Sequence, residues 1–147
     1  MFNHILVPTD GSDFSNRAVA TAARLAQSLN ARLLVLHVRS PIDSPHHVEG
    51  GALSKLGGKM VMQEIENEER KLLDAALEIA ADSGVTAEKA FVAGYSPYDA
   101  IIRIAREQQC DLIVMASHGR VGISSLLLGS ETQKVLTHTT VPVLIVK

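Results

Sequence analysis

Residues 4–12 read HILVPTDGS, an apolar run that ends in a short polar segment. Two further runs, LLVLHV at residues 33–38 and LIVMA at residues 112–116, are also nearly continuously apolar and rich in branched side chains. Strands that are covered on both faces have this composition, whereas half-exposed strands alternate between apolar and polar residues. The three runs therefore predict buried strands of a parallel sheet.

The segments between these runs have a helical pattern. Apolar residues recur at intervals of three and four within residues 18–29 and again within residues 72–80. Weaker apolar runs at residues 90–93 and 141–146 bring the candidate strands to five. Strands that alternate with helices form right-handed βαβ units with helices on both faces of the sheet. We therefore predict one α/β domain over residues 1–147, a single doubly wound, mainly parallel, Rossmann-like sheet.

Two later helices have recognisable starts. Ser96 is expected to cap the third helix, with Pro97 at its first position and Asp99 reaching back to the cap. Ser130 is expected to cap the fourth helix.

The stretch from Ser40 to Met60 differs from the rest of the chain. It holds two prolines, four glycines and few core residues, which predicts a long mobile loop before the second helix. His46 and His47 lie within it, but adjacent histidines without a third ligand rarely form a metal site. The pattern therefore disfavours a metal centre there.

Composition excludes several classes of protein. A net charge of -2 disfavours a protein that binds nucleic acid through phosphate neutralisation. No apolar run approaches the roughly 20 residues of a membrane-spanning helix, and nothing resembles a signal peptide. The single cysteine, Cys110, is expected to fill the core. These features predict a cytosolic protein without a membrane segment.

Polar residues follow the first and fourth predicted strands. In doubly wound sheets ligands bind beyond the carboxyl ends of the strands, where the strand order reverses. Asp10 lies after the first strand, where its carboxylate can accept from a ribose hydroxyl or help to hold Mg²⁺ bound to phosphates. Gly119 and Gly129 allow a ligand to approach the backbone, and the helix after Gly129 offers unpaired N–H groups to a phosphate.

The same residues resemble the fingerprint G-x2-G-x9-G-[ST] of the ATP-binding branch of the universal stress protein family. Here it reads Ala116-Ser117-His118-Gly119, nine residues from Arg120 to Leu128, and then Gly129-Ser130. Alanine replaces the first glycine and adds one methyl group at a strand end. The similarity runs from VPTDGS at residues 7–12 to VPVLIV at residues 141–146.

The resemblance implies an adenine nucleotide alpha hydrolase-like fold and a stress-response protein that binds ATP, ADP or AMP, and Asp10 remains the candidate ligand for a phosphate-bound Mg²⁺. Val38 would meet the adenine through its backbone, and Met115 and Ala116 would flank the base or ribose. The binding residues implied are Pro8, Thr9, Asp10, Val38, Met115, Ala116, Ser117, His118, Gly119, Arg120, Gly122, Gly129, Ser130, Glu131 and Thr132. No residue is given a catalytic role.

Two alternatives remain open. An enzyme acting on ATP lacks sequence support, because neither a Walker A sequence nor a nucleophile elbow is present, although slow ATP hydrolysis by a bound water stays open. The other alternative is a nucleotide-free dimeric interaction module of the same family, which Ala116 favours. A receiver-like domain with Asp10 as phosphoacceptor is disfavoured, since no paired acidic residues precede Asp10.

The closing strand, Val141 to Val146, is expected at the edge of the sheet. Only Pro142 blunts this edge, so antiparallel pairing of two copies about a two-fold axis is the simplest way to cover it. The family resemblance implies the same homodimer. We expect nucleotide to order residues 40–60 and 119–128, and an unknown protein partner to recognise the resulting state.

Overall fold

The computed structural model describes residues 1–40, 54–120 and 127–147, and in these ranges strands and helices alternate. The elements are β1 His4–Pro8, α1 Asp13–Leu29, β2 Arg32–Arg39, α2 Ser54–Asp82, β3 Glu88–Ala93, α3 Pro97–Glu107, β4 Leu112–Ala116, α4 Ser130–His138 and β5 Val143–Val146. Within the described ranges, none of the helices is both long and apolar enough to cross a bilayer.

The strands form one five-stranded sheet in the order β3-β2-β1-β4-β5, and every neighbouring pair is parallel. The chain builds outward from β1 through β2 to β3, and then crosses to the other side of β1 to form β4 and β5. The strand order therefore reverses between β1 and β4. The predicted doubly wound α/β fold is confirmed, and the edge at which folds of this type bind ligands lies where these two central strands end.

Each face of the sheet carries its own core. Val7, Val35 and Val114 belong to a buried cluster with α1 and α2. The alternate residues of the same strands, among them Leu6 and Ile113, pack with α3 and α4. Because successive side chains of a strand point to opposite faces, strands covered on both sides need an apolar residue at nearly every position. This requirement explains the continuous apolar runs of the sequence.

Cys110 lies in the core beside α3 and β4, with 6% of its surface exposed. Burial, helped by the nearby Asp111 carboxylate, raises the pKa of the Cys110 thiol to about 11. The thiol therefore stays protonated at neutral pH, as expected of a core-filling cysteine.

The second helix begins earlier than the sequence predicts. Because α2 starts at Ser54, the expectation of a loop extending to Met60 is wrong for residues 54–60. Gly58 lies inside this helix of 29 residues. A glycine costs roughly 1 kcal/mol in a helix interior, which is small beside the sum of the hydrogen bonds that a helix of this length forms. Residues 41–53, with His46 and His47, lie outside the described ranges.

Both capping predictions need correction. Ser96 is the N-cap residue of α3 and Pro97 follows it, but the Ser96 side chain accepts no capping hydrogen bond. Instead the Tyr98 N–H donates to Oε2 of Glu131 over 2.9 Å. Gly129, and not Ser130, is the N-cap residue of α4, so Ser130 is the first helical residue.

The Glu131 contact should stabilise the start of α3. Glu131→Ala is expected to lower the free energy of unfolding by about 1 kcal/mol, because it removes the acceptor of the Tyr98 N–H. Urea unfolding of the nucleotide-free protein measures this. Glu131→Gln is the matched control, since it keeps an oxygen acceptor but loses the ion pair with Lys134. Equal loss of stability in both variants would contradict the capping role.

Candidate functional site

The turn after β1 is built by its own polar residues. Thr9 Oγ1 lies 3.0 Å from Ser15 Oγ and accepts from the Gly11 N–H at 3.2 Å. Gly11 has a φ of +78°, a left-handed conformation that strongly favours glycine. Ser12 caps α1 by accepting from the Ser15 N–H, and its own N–H donates to Asp10 Oδ1 at 2.9 Å. These contacts hold Asp10 at the sheet edge.

Asp10 also joins this turn to the loop after β4. The N–H of Arg120 donates to Asp10 Oδ2 at 3.0 Å, and the Arg120 Nε donates to the Asp10 carbonyl at 2.9 Å. A Cβ at Gly119 would lie only 2.8 Å from Asp10 Oδ2. A side chain at position 119 would therefore displace the Asp10 carboxylate. This reason for a glycine there could not be seen in the sequence.

The Asp10 carboxylate is held in its ionised form. Burial alone raises its pKa, but hydrogen bonds from Ser12, Ser15 and Arg120 together outweigh burial, and the pKa lies below its ordinary value. At neutral pH Asp10 is thus an anion with oxygen lone pairs available to a hydroxyl group or a hard cation.

The end of β4 packs closely against the start of α4. The Gly129 N–H donates to the Ser117 carbonyl at 2.7 Å, and Thr132 Oγ1 donates to the Ala116 carbonyl at 3.0 Å. A Cβ at Gly129 would lie 3.3 Å from the Ser117 oxygen, a tight contact with backbone. The Ser117 N–H in turn donates to the Val146 carbonyl at 2.8 Å. The start of α4 is thereby connected through Ser117 to the end of β5.

His118 faces the start of α1. Its Nδ1 lies 3.0 Å from Ser117 Oγ, and its ring centroid lies 5.8 Å from that of Phe14. These three residues line a cavity of about 210 Å³, together with Arg17, Leu127, Leu128 and Lys147. The Nε2 of His118 is buried and has no hydrogen-bond partner among the described residues.

The sheet edge brings most of the predicted binding residues together. These are Pro8, Thr9, Asp10, Val38, Ala116, Ser117, His118, Gly119, Arg120, Gly129, Ser130 and Thr132. Three others differ. The Met115 side chain packs in the core with α3 and α4, the Glu131 carboxylate binds the start of α3, and Gly122 lies outside the described ranges.

One residue at this edge was missed by sequence reasoning. His37, near the end of β2, places its Nδ1 2.9 Å from the Thr9 carbonyl. The available signal was a polar residue inside the otherwise apolar run at residues 33–38.

The described residues contain no group of three or more histidine, cysteine or acidic side chains that could hold a metal ion. Within the described ranges Asp10 is thus a single carboxylate ligand, which suits Mg²⁺ when phosphate oxygens and water complete its coordination.

Comparison with known proteins agrees with this architecture. The model of the universal stress protein family matches residues 1–147. Universal stress protein YxiE of Bacillus subtilis is 37% identical over 149 aligned residues, which cover 100% of both chains.

Two solved structures have the same fold. The MJ0577 protein of Methanocaldococcus jannaschii superposes with a TM-score of 0.79 at 26% identity, covering 100% of this chain and 96% of that one. A universal stress protein in complex with cAMP superposes with a TM-score of 0.70 at 30% identity, covering 99% and 96%. With the family model spanning all its residues, the chain belongs to the universal stress protein family.

Proposed function

We propose that the protein binds an adenine nucleotide, ATP foremost, at the carboxyl edge of β1, β2 and β4, and that it acts as a stress-response regulator. The observation that carries the proposal is the ionised Asp10 carboxylate, which ties the loops after β1 and β4 together beside the open start of α4. A relative of 30% identity was solved with cAMP, an adenine nucleotide, which supports the same ligand class.

The start of α4 is suited to the phosphates. The first intrahelical bond runs from the Gln133 N–H to the Gly129 carbonyl at 3.0 Å, so the N–H groups of residues 130–132 precede it. Gly129 has no side chain to cap them. Such N–H groups, together with the positive end of the helix dipole, favour an anion. Glu131 thus contributes its backbone N–H there, while its carboxylate binds α3.

Asp10 is suited to the ribose or to a phosphate-bound cation. Its carboxylate lies between the strand ends that flank the nucleotide, where it accepts from a ribose hydroxyl or contributes one oxygen to Mg²⁺. The remaining ligands of the cation would be phosphate oxygens and water.

The nucleotide-free alternative loses its main support. Ala116, which replaces the first glycine of the fingerprint, packs its side chain against the core shared with α1 and α2. Its carbonyl accepts from Thr132. The added methyl group therefore lies on the core side of β4, away from the edge where the nucleotide would bind.

The enzymatic alternative also lacks a suitable arrangement. His118 has Ser117 Oγ beside its Nδ1, but none of the described acidic residues orients the ring. A general base requires such a partner to hold its tautomer and direction. We therefore assign no catalytic residue and propose binding rather than chemistry as the function. The cytosolic location stays a prediction.

We further propose a homodimer formed by the strand Val141–Val146. In a parallel strand the N–H and C=O groups of alternate residues face the same neighbour. Pro142 and Val146 accept hydrogen bonds from the β4 side, so Val143 and Ile145 present theirs to the open edge. Two hydrogen bonds, through Ser117, connect Val146 to Gly129. Nucleotide at α4 would thereby influence the dimer edge, and an unidentified protein partner would recognise the result.

The first test is to denature the purified protein, identify any released nucleotide by chromatography, and titrate the emptied protein with ATP and Mg²⁺ in a calorimeter. Gly129→Val is expected to weaken ATP binding at least tenfold, because its side chain crowds the Ser117 carbonyl and blocks access of a phosphate to the start of α4. Gly94→Ala is the matched control, since a Cβ there has no neighbour within 4 Å. Equal ATP affinity in Gly129→Val and wild type would refute the phosphate site.

Gly119→Ala tests the role of Asp10. The added Cβ displaces the Asp10 carboxylate, so we expect about a tenfold loss of ATP affinity, the equivalent of one hydrogen bond. Asp10→Asn should cause a similar loss, and the double variant should lose little more, because both changes remove the same contact. Additive losses measured by calorimetry would show that Gly119 acts independently of Asp10.

Ile145→Pro tests the dimer edge. It removes an N–H group that faces away from β4, so dimerisation should weaken strongly while the β4–β5 ladder is retained. Sedimentation velocity measures the change. Ile145→Ala loses the same packing but keeps the N–H group, and should remain dimeric. A wild-type monomer, or dimerisation unaffected by proline, would exclude this interface.

A further inference from the structure

The ring of His37 connects β2 to the turn after β1. Its Nδ1 lies 2.9 Å from the Thr9 carbonyl oxygen. A carbonyl oxygen only accepts, so Nδ1 carries the hydrogen and donates it. The contact is therefore a hydrogen bond from a side chain to the backbone of the residue before Asp10.

This bond lies where the backbone ladder between β1 and β2 stops. The last rung is the Thr9 N–H donating to the Leu36 carbonyl at 2.8 Å. The backbone N–H and C=O groups of Leu36 therefore point towards β1. Those of Val38, two residues further along, point the same way. Arg39 faces the other way, because its carbonyl accepts from the Gly94 N–H.

A continued ladder would add two rungs at Val38. Its N–H would donate to the Thr9 carbonyl, and its carbonyl would accept from the Gly11 N–H, which donates instead to Thr9 Oγ1 at 3.2 Å. Neither bond is present among the backbone hydrogen bonds of the described residues. The Thr9 carbonyl is instead satisfied by His37. The Val38 N–H donor and carbonyl acceptor thus lack the backbone partners that a continued ladder would supply. Both groups are available to a ligand at the predicted edge.

We propose that His37 is a specificity-determining positioning residue, which keeps the Val38 backbone open for adenine by occupying the Thr9 carbonyl. The inference rests on the proposed nucleotide function. Adenine carries an amino donor beside a ring nitrogen acceptor, which complements a carbonyl and an N–H. Guanine has a carbonyl acceptor in place of that amino group, so its edge meets the Val38 carbonyl unfavourably.

The surroundings of His37 hold its ring in this direction. The ring stacks on Phe91 with centroids 6.0 Å apart and an angle of 28° between the planes. The Arg39 guanidinium lies 5.3 Å from the centroid of the same phenyl ring and pairs with Glu69 Oε1 at 3.5 Å. Residues of α2, β2 and β3 therefore fix a side chain that acts on the end of β1.

Calorimetric titration with ATP and with GTP separates this role from a merely structural one. In His37→Ala the freed Thr9 carbonyl becomes available to the Val38 N–H, so ATP affinity should fall about tenfold while GTP affinity changes little. His37→Asn should restore ATP affinity to within about threefold, because its amide nitrogen takes the place of Nδ1. His37→Gln should not, since its amide lies further out, near the place of Nε2.

His138→Ala is the matched control. His138 also places its Nδ1 against a backbone carbonyl, that of Lys134 at 2.8 Å, but on the exposed side of α4. It should bind ATP and GTP as wild type does. Parallel loss of ATP and GTP affinity in His37→Ala, or unchanged affinity for both, would overturn the proposal.

Hydrogen exchange of the Val38 amide, followed by NMR in the nucleotide-free protein, is an independent readout. Exchange should be fast in wild type and in His37→Asn, and slowed in His37→Ala, where the amide pairs with Thr9. A slowly exchanging Val38 amide in nucleotide-free wild type would overturn the inference. Wild type that binds no ATP would overturn the proposed function itself, whereas ATP-binding wild type with an unaltered His37→Ala variant would overturn the role of His37 alone.

Discussion

The hydrogen bonds to the Asp10 carboxylate are the interaction on which the site depends. One oxygen accepts from Ser12 at the start of α1 and the other from Arg120 after β4, so a single side chain spans the point where the strand order reverses. A carboxylate in this half-buried position is favourable only while its donors outweigh the loss of hydration, and its lowered pKa shows that they do. Gly119 follows from the same constraint, since no Cβ fits beside the carboxylate.

The fold could be predicted from the sequence because its signals are local. Strands covered on both faces read as apolar runs, and the packed helices keep their periods of three and four. Tertiary partners decided the features that were wrong. Tyr98 at the start of α3 is capped by Glu131, 33 residues away, and no capping pattern within α3 contains that information. The start of α2 at Ser54 was missed for a different reason, because each residue added to an existing helix gains a hydrogen bond and a long helix therefore extends into a glycine-containing segment.

The candidate site was predictable only in outline. The glycines and Asp10 stood out because they follow strand ends, but the physical reason for Gly119 needed the position of a residue 109 places earlier. His37 was missed because its importance arises where a backbone ladder stops, and a ladder's end is a property of two strands together.

A common property of the proposed nucleotide site is its use of backbone groups. The start of α4 offers N–H groups of residues 130–132, and β2 offers the N–H and carbonyl of Val38. The side chains to which the proposals assign the main roles, Asp10 and His37, make hydrogen bonds to backbone groups. Backbone groups are present whatever the side chain, so the identity of Glu131 or Val38 says little about binding. In the sequence, a site of this kind consists of glycines that permit close approach and of polar residues whose hydrogen bonds end a backbone ladder or connect two loops. It therefore contains no catalytic motif.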